Sequence, residues 1–296
     1  MRHAWLILTH GSFDILEKQL RFLDSADADF YIHVDAKAEF DPKRFEHITK
    51  QSAVTFIKRR RISWGHCSIM EAELDLLAAA VPGEYDYYHL LSGVDVPIKT
   101  REYIEEYFEK TKPGTNFVHV WERDLCREHL DRVKYYYPLQ RFNIQNRILR
   151  LGLRRAEVLF ERPFVDRTKK DPSDWHFVKG AQWFSITNDL AKYVLEHDTW
   201  LRRRYKSTFC PDEMFMASLV ESSPFRDTLP SDYCGDDHRN CLRYIDWTRG
   251  KPYTFRTGDY DELISAPKDY LFARKFSSAD PEIVNLLFEH FGEKQQ

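Results

Sequence analysis

Short apolar runs alternate with helically periodic stretches through the first third of the chain. Residues 4–9 form an apolar run that reads as a strand, and Ser12 stands at the cap position of a helix whose Ile15, Leu16, Leu20 and Leu23 share one face. Residues 30–34 and 54–57 read as further strands. Residues 67–80 predict a helix with Ile69, Met70, Leu74, Leu77 and Ala78 on its buried stripe. A fourth strand over 85–91 closes in the turn Ser92-Gly93-Val94-Asp95-Val96-Pro97. Strands separated by helices imply βαβ units and a mainly parallel sheet. Such sheets bind ligands beyond the carboxyl ends of their strands, where Asp35 and the 92–95 turn fall.

The pattern loosens after residue 117. Residues 117–120 read as a strand, but 121–175 are basic, aromatic and poorly periodic, with Tyr135-Tyr136-Tyr137 and the arginine-rich 147–155. This stretch is expected to be an insertion or to face an acceptor. Order returns with a strand over 182–186, a helix from 188, a helix over 212–221, a strand over 241–247 and a last helix over 281–291. Pro281 suits the first turn of that helix, after Asp280. No repeat, low-complexity tract or glycine-serine linker interrupts the chain. One α/β unit over 1–296 is expected, with a Rossmann-like mixed sheet and helices on both faces.

Composition narrows the function classes. The chain has 296 residues, 43% hydrophobic and 31% charged, which excludes disorder and fibrous architectures. Lysine and arginine total 44 against 47 acids, a formal charge of −3, so nothing draws the whole chain to nucleic acid and any phosphate is held locally. Aromatic residues reach 15%, which suits a cleft that stacks ring-shaped ligands. The apolar run after Met1-Arg2-His3 is far shorter than the roughly 18–20 residues of a membrane span. The expected location is cytoplasmic. Five cysteines without a pattern fit a reducing compartment. Cys234, His238 and Cys241, with Cys210 upstream, have zinc-ligand chemistry but lack a paired Cys-x-x-Cys knuckle, so a loop with incidental thiols is the preferred reading.

Phosphate-cradling signatures are missing. Neither Gly-x-x-x-x-Gly-Lys-Ser/Thr nor a post-strand Gly-x-Gly-x-x-Gly occurs, and there is no Gly-x-Ser-x-Gly elbow. Two Asp-x-Asp pairs exist, but Asp27-Ala28-Asp29 precedes a strand and Asp259-Tyr260-Asp261 opens a short helix, where acids are expected for capping. Asp95 stands at a strand end without an acidic neighbour, weak support for a divalent cation.

Several motifs in order carry a resemblance. Leu6-Ile7-Leu8-Thr9-His10, Tyr31-Ile32-His33-Val34-Asp35, Trp64-Gly65 and Leu91-Ser92-Gly93-Val94-Asp95-Val96-Pro97-Ile98-Lys99 are followed by Lys179-Gly180-Ala181-Gln182-Trp183-Phe184 and Pro211-Asp212-Glu213. Arg243-Tyr244-Ile245-Asp246-Trp247 and Leu271-Phe272-Ala273-Arg274-Lys275-Phe276 complete the set. Together they resemble the core-2/I-branching glycosyltransferase family, which includes β-1,6-N-acetylglucosaminyltransferases and peptide O-xylosyltransferases. Residues 100–175 are the poorly matched part. The resemblance implies a GT-A-type fold, a UDP-sugar donor, inversion at the anomeric carbon and no metal or other cofactor. It also divides the chain into a nucleotide-sugar-binding half, 1–116, and an acceptor-binding and catalytic half, 117–296.

Residue roles follow from the same resemblance. Glu213 matches the catalytic base, a carboxylate that takes the acceptor's proton. Arg256 and Lys275 match a basic pair on the donor diphosphate, fixed cations in place of a metal. Asp35 resembles a uridine or ribose contact, and His10, Trp64, Gly65 and Asp95 join it at the donor. Trp183 and Trp247 are candidates for stacking on a sugar face, and Glu122, Arg132 and Lys134 for acceptor contacts. Arg59-Arg60-Arg61 reads either as a diphosphate or anionic-lipid contact or as a solvated loop.

The expected function is metal-independent inverting transfer from a UDP-sugar, N-acetylglucosamine first and xylose second, to a glycan or lipid-linked glycan, with peripheral contact to the inner membrane face. Two competitors stay open: a UDP-sugar-binding protein without turnover, and a glycoside hydrolase with two flanking carboxylates.

Overall fold

The computed structural model describes residues 1–122, 126, 129–142, 144, 146–162, 164–230 and 238–292, the side chains of 147 and 150 excepted. In chain order the strands are β1 (His3–Thr9), β2 (Ala28–Val34), β3 (Val54–Phe56), β4 (Tyr87–Ser92), β5 (Asp95–Pro97), β6 (Phe117–Val120), β7 (Gly180–Thr187), β8 (Arg243–Ile245) and β9 (Phe272–Arg274). The α-helices are α1 (Phe13–Phe22), α2 (Ser68–Ala80), α3 (Arg101–Lys110), α4 (Asp131–Lys134), α5 (Arg147–Glu161), α6 (Asn188–Glu196), α7 (Asp198–Tyr205), α8 (Phe215–Glu221), α9 (Tyr260–Ile264) and α10 (Pro281–Gly292).

Six strands form a sheet in the order β3-β2-β1-β4-β7-β6. Side chains alternate across a strand, so β1 divides its apolar residues between two cores. Trp5 and Ile7 meet Ile15, Leu16 and Leu20 of α1, Ile104 and Phe108 of α3, and Ile283 and Leu287 of α10. Ala4 and Leu6 meet Met70, Leu74 and Leu77 of α2, Leu190 of α6 and Phe215 and Leu219 of α8 on the opposite face. The mixed sheet with helices on both faces is therefore the architecture expected from the sequence.

In this sheet β3-β2-β1-β4 are parallel, as the mainly parallel reading expects. β7 runs antiparallel to β4, and β6 antiparallel to β7. β1, β2 and β4 consequently end at one edge, and the strands after them continue the sheet past the expected division at 116. A second sheet, β5-β9-β8, puts Asp95 in register with Arg274. The 92–97 turn therefore contains a strand, which its three residues conceal until their distant partner is known.

Smaller differences have local causes. Ser12 occupies the cap position of α1 with φ 52°, and its side chain makes no capping bond. The predicted 212–221 helix is a 3-10 turn, Pro211–Glu213, followed by α8, because Met214 leaves helical geometry at φ −130°. The helix from 188 is two, α6 and α7. Within 121–175 lies α5, fifteen residues long. Among the described residues no helix is long and apolar enough to cross a membrane.

Candidate functional site

A cavity of about 850 Å³ opens where β1, β2 and β4 end, within the ~300–1,000 Å³ span of small-molecule sites. Its lining includes His10 after β1, Asp35 after β2, Ser92 at the end of β4 and Gly93 after it, Trp183 of β7, Arg274 of β9, and Trp64, Asp212, Glu213, Trp247 and Lys251 from loops and turns. Six of the sequence-predicted residues thus share one cavity: His10, Asp35, Trp64, Trp183, Glu213 and Trp247.

The strand-end side is held by the protein's own hydrogen bonds. One Asp35 oxygen accepts from the backbone N–H of Lys37 at 2.9 Å and of Ile62 at 3.3 Å, and the other lies 3.4 Å from the Lys37 ammonium. Asp35 therefore joins the end of β2 to the loop that carries Trp64. Gly93 is required here, since a Cβ would stand 2.5 Å from the Thr9 hydroxyl oxygen. Gly65 has φ 74° and its carbonyl accepts from the Cys210 N–H at 2.9 Å. That bond ties the Trp64 loop to the turn bearing Glu213. Gly65 is not itself in the lining; it sets the backbone that presents Trp64.

Asp95, expected at the donor, is fully buried and outside the lining. One oxygen accepts from the Ser92 N–H at 2.9 Å, and the other from the Ser92 hydroxyl at 2.9 Å and the Arg274 guanidinium at 2.7 Å. Its reach to the cavity is through Arg274, which also bonds Ser92 Oγ and lies 4.1 Å above the Trp183 ring. Trp183 lines the cavity beneath that guanidinium, with only 6% of its surface exposed. A buried carboxylate with a bonded guanidinium is a fixed, oriented cation aimed at the cavity.

Arg256 and Lys275 occupy adjacent segments, joined by the bond from the Phe255 N–H to the Lys275 carbonyl at 2.9 Å. Neither is in the lining; Arg274 and Lys251 are. Arg256 is exposed, with its backbone N–H on Asp259. Arg274 stands within residues 271–276, where no local feature sets it apart from Lys275. The available signal was Asp95, since an isolated strand-end carboxylate calls for a nearby cation.

On the other side, the Arg132 guanidinium donates to Glu213 Oε2 at 2.7 Å. Arg132, expected at the acceptor, is instead drawn to Glu213, with its guanidinium 5.5 Å from the Phe209 ring and itself outside the lining. Behind Glu213 lies a buried carboxyl pair that the sequence did not reveal. Burial and the neighbouring Glu213 carboxylate push the Asp212 pKa up to about 7. Burial, and then Asp212, push Glu73 well up too. Glu73 Oε1 accepts from the Gln182 amide at 2.7 Å, while Glu73 Oε2 and Asp212 Oδ1 have no partner among the described residues.

The remaining predictions separate. Glu122 is exposed and Lys134 half-buried, and neither lines the cavity, although Trp121 beside Glu122 does. Trp247 is half-exposed and donates its indole N–H to His238 Nε2 at 3.3 Å. The Arg59 guanidinium donates to the carbonyls of Asp35 and, at the β2 end, Val34, while Arg60 pairs with Asp75 and with Glu71 at 3.0 Å. These two arginines are struts rather than ligand contacts. Cys234 of the possible zinc set lies outside the described residues; the Cys241 thiol donates to the His238 carbonyl, and no group of three metal-ligating side chains forms among the described residues. Asp29 accepts from the Ala53 N–H and the Tyr85 hydroxyl, and Asp259 from the Arg256 N–H, the structural roles expected of both Asp-x-Asp pairs.

Residues 3–264 match the Core-2/I-Branching enzyme family. Xylosyltransferase 2 of Canis lupus familiaris is 26% identical over 98% of this chain and 34% of its own length. Xylosyltransferase 1 of Homo sapiens is 24% identical over 97% of this chain and 30% of its own. The chain spans about a third of the length of these curated relatives. Among solved structures, mouse Xyloside xylosyltransferase 1 in its apo form aligns over 92% of this chain and 96% of that one, at 11% identity and a TM-score of 0.39. With the family match running through most of its length, the chain belongs to the Core-2/I-Branching enzymes.

Proposed function

We propose that this chain transfers a sugar from a UDP-sugar to a hydroxyl of a glycan or glycoconjugate, with inversion at the anomeric carbon and without a divalent metal. The observation that carries the reading is one cavity at the parallel strand ends lined by both a carboxylate, Glu213, and a positioned guanidinium, Arg274. UDP lies along the strand-end side, near His10 and Asp35. The acceptor hydroxyl gives its proton to Glu213 as its oxygen bonds to the anomeric carbon. The bond from that carbon to the diphosphate oxygen breaks, its electron pair leaves on UDP, and the growing negative charge meets Arg274.

Because Asp95 and Ser92 already fix Arg274, little reorganisation is needed when the charge develops. Lys275, next to Arg274 in the chain, and Arg256, in the adjacent segment, lie outside the lining and are secondary cations for the diphosphate in this reading. Arg132 holds one Glu213 oxygen, leaving the other for the acceptor. Trp247, Glu122 and Lys134 belong to the acceptor side of this reading. The relatives named xylosyltransferase move UDP-xylose ahead of UDP-N-acetylglucosamine as donor.

The test is UDP release from each donor with a panel of glycan and lipid-linked glycan acceptors, with and without excess EDTA. Acceptor-dependent release that EDTA leaves intact supports the proposal. Release abolished by EDTA and restored by magnesium or manganese contradicts the metal-free mechanism, and no release with any donor contradicts transfer.

A further inference from the structure

We propose that the outer face of α5 and the turn after it dock onto a lipid bilayer carrying anionic headgroups. The helix has one broad apolar face, and it is turned away from the protein. On the inner side Leu153 and Glu157 border a small gap with Trp64, Leu139 and Ile144, Val158 packs beside Tyr135, Tyr137 and Phe209, and the Arg154 guanidinium lies 4.5 Å from the Phe209 ring centre. On the outer side Ile148 is 83% exposed, Leu159 68%, Phe160 81%, and Phe164 in the following turn 85%. Positions 148, 152, 156 and 159–160 share a face at helical spacing, and the two in the middle are Gly152 and Ala156.

The contrast with the other amphipathic helices is direct. α1, α6 and α10 turn their apolar faces into the core, whereas no described side chain of α5 is buried. Six large exposed apolar side chains along one helix and its turn, Leu149 and Leu151 included, make a patch that calls for a partner.

Charge selects the occupant. Residues 141–170 contain nine lysines and arginines and three acids, in a chain whose net charge is −3. Arg155 and Arg162 are exposed beside the apolar positions. A helix with apolar and basic residues on its open side matches an interface where acyl chains lie under negative headgroups. A second copy fits worse, because a two-fold contact sets the same basic segment against itself. The inner face of α5 borders the same small gap as Trp64, which also lines the cavity, so a docked bilayer lies on the Trp64 side of the site. A lipid-borne acceptor is the benefit if transfer is the function; the docking itself does not rest on that reading.

The test is flotation of the full chain with vesicles of phosphatidylcholine alone, or of phosphatidylcholine and phosphatidylglycerol in equal parts. The unaltered chain is expected to float with the anionic vesicles and not the neutral ones, and to be released by high salt. Phe160→Ser with Phe164→Ser, and separately Arg155→Glu with Arg162→Glu, each lower the bound fraction about ten-fold or more. Both variants keep the unaltered chain's UDP-induced rise in melting temperature, which reads the donor site separately from the docking face. Absence of flotation, equal binding to both vesicle types, or variants that bind undiminished overturns the proposal. So does a concentration-dependent dimer, lost in the phenylalanine variant, in a chain that does not float. A missing UDP response in the unaltered chain counts instead against the proposed function.

Discussion

The strand-end side of the cavity and the Pro211–Glu213 side treat their carboxylates in opposite ways. Asp35 and Asp95 are bonded to backbone N–H groups, a lysine and Arg274, so their charges are compensated before any ligand arrives. Across the cavity, Asp212 is buried with an oxygen lacking a partner among the described residues, Glu73 stands behind it in the same condition, and one Glu213 oxygen pairs with Arg132. A compensated wall is rigid and suits binding. A wall whose carboxyl groups are incompletely satisfied can hold or take a proton, and suits chemistry. In the proposed transfer, the regular part of the fold holds the donor and the irregular part performs the reaction.

The largest expected effect is on the irregular side. Glu213→Gln keeps the shape but removes the proton acceptor, and turnover falls by about 10²–10⁴-fold while melting temperature stays close to that of the unaltered chain. Turnover that survives the change removes Glu213 from the mechanism. Next comes Arg274→Ala, expected to lower turnover about 10²–10³-fold through loss of a fixed cation, and to exceed the effects of Lys275→Ala and Arg256→Ala. If either of those is the more damaging, the diphosphate lies closer to the outer pair.

Much of the donor side was legible because its signals are local. The apolar run at 4–9 became β1, and the helix expected over 67–80 became α2, although Ala78 of its expected buried stripe is exposed. What stayed hidden depends on contacts distant in sequence. β5 is a strand only because β9 pairs with it, and Arg274 becomes distinct from Lys275 only when Asp95 is seen opposite. Asp212 and Glu73 meet through the packing of α2 against the turn before α8. α5 was obscured for another reason: its outer apolar residues face away from the core, so the expectation of one buried stripe per helix does not describe it.

Asp35→Asn sharpens the comparison from the binding side. Loss of the charged acceptor loosens the loop around Ile62 and the Lys37 pair, with an expected cost of about 1–3 kcal/mol in stability measured by denaturant unfolding. UDP affinity falls as well, while turnover at saturating donor stays within a few-fold. A large loss of saturated turnover instead means that the strand ends take part in the reaction.

The smallest effect is a pH slope. The Asp212 carboxyl has a pKa of about 7 in the fold against an ordinary 3.8, so the folded chain retains a proton that the unfolded chain releases. Its contribution to stability is greatest below 3.8 and is lost as pH rises through about 7. Asp212→Asn removes that loss. The melting temperature of the variant relative to the unaltered chain is expected to rise across this interval, and a constant difference means that Asp212 is ionised throughout.

The division of labour between the two sides is tested most directly by calorimetric titration of UDP into Glu213→Gln and Arg274→Ala, beside the unaltered chain and without metal. The account predicts affinity within a few-fold of normal for Glu213→Gln and a clear loss for Arg274→Ala. Equal affinity in both variants, or the reverse order, contradicts it.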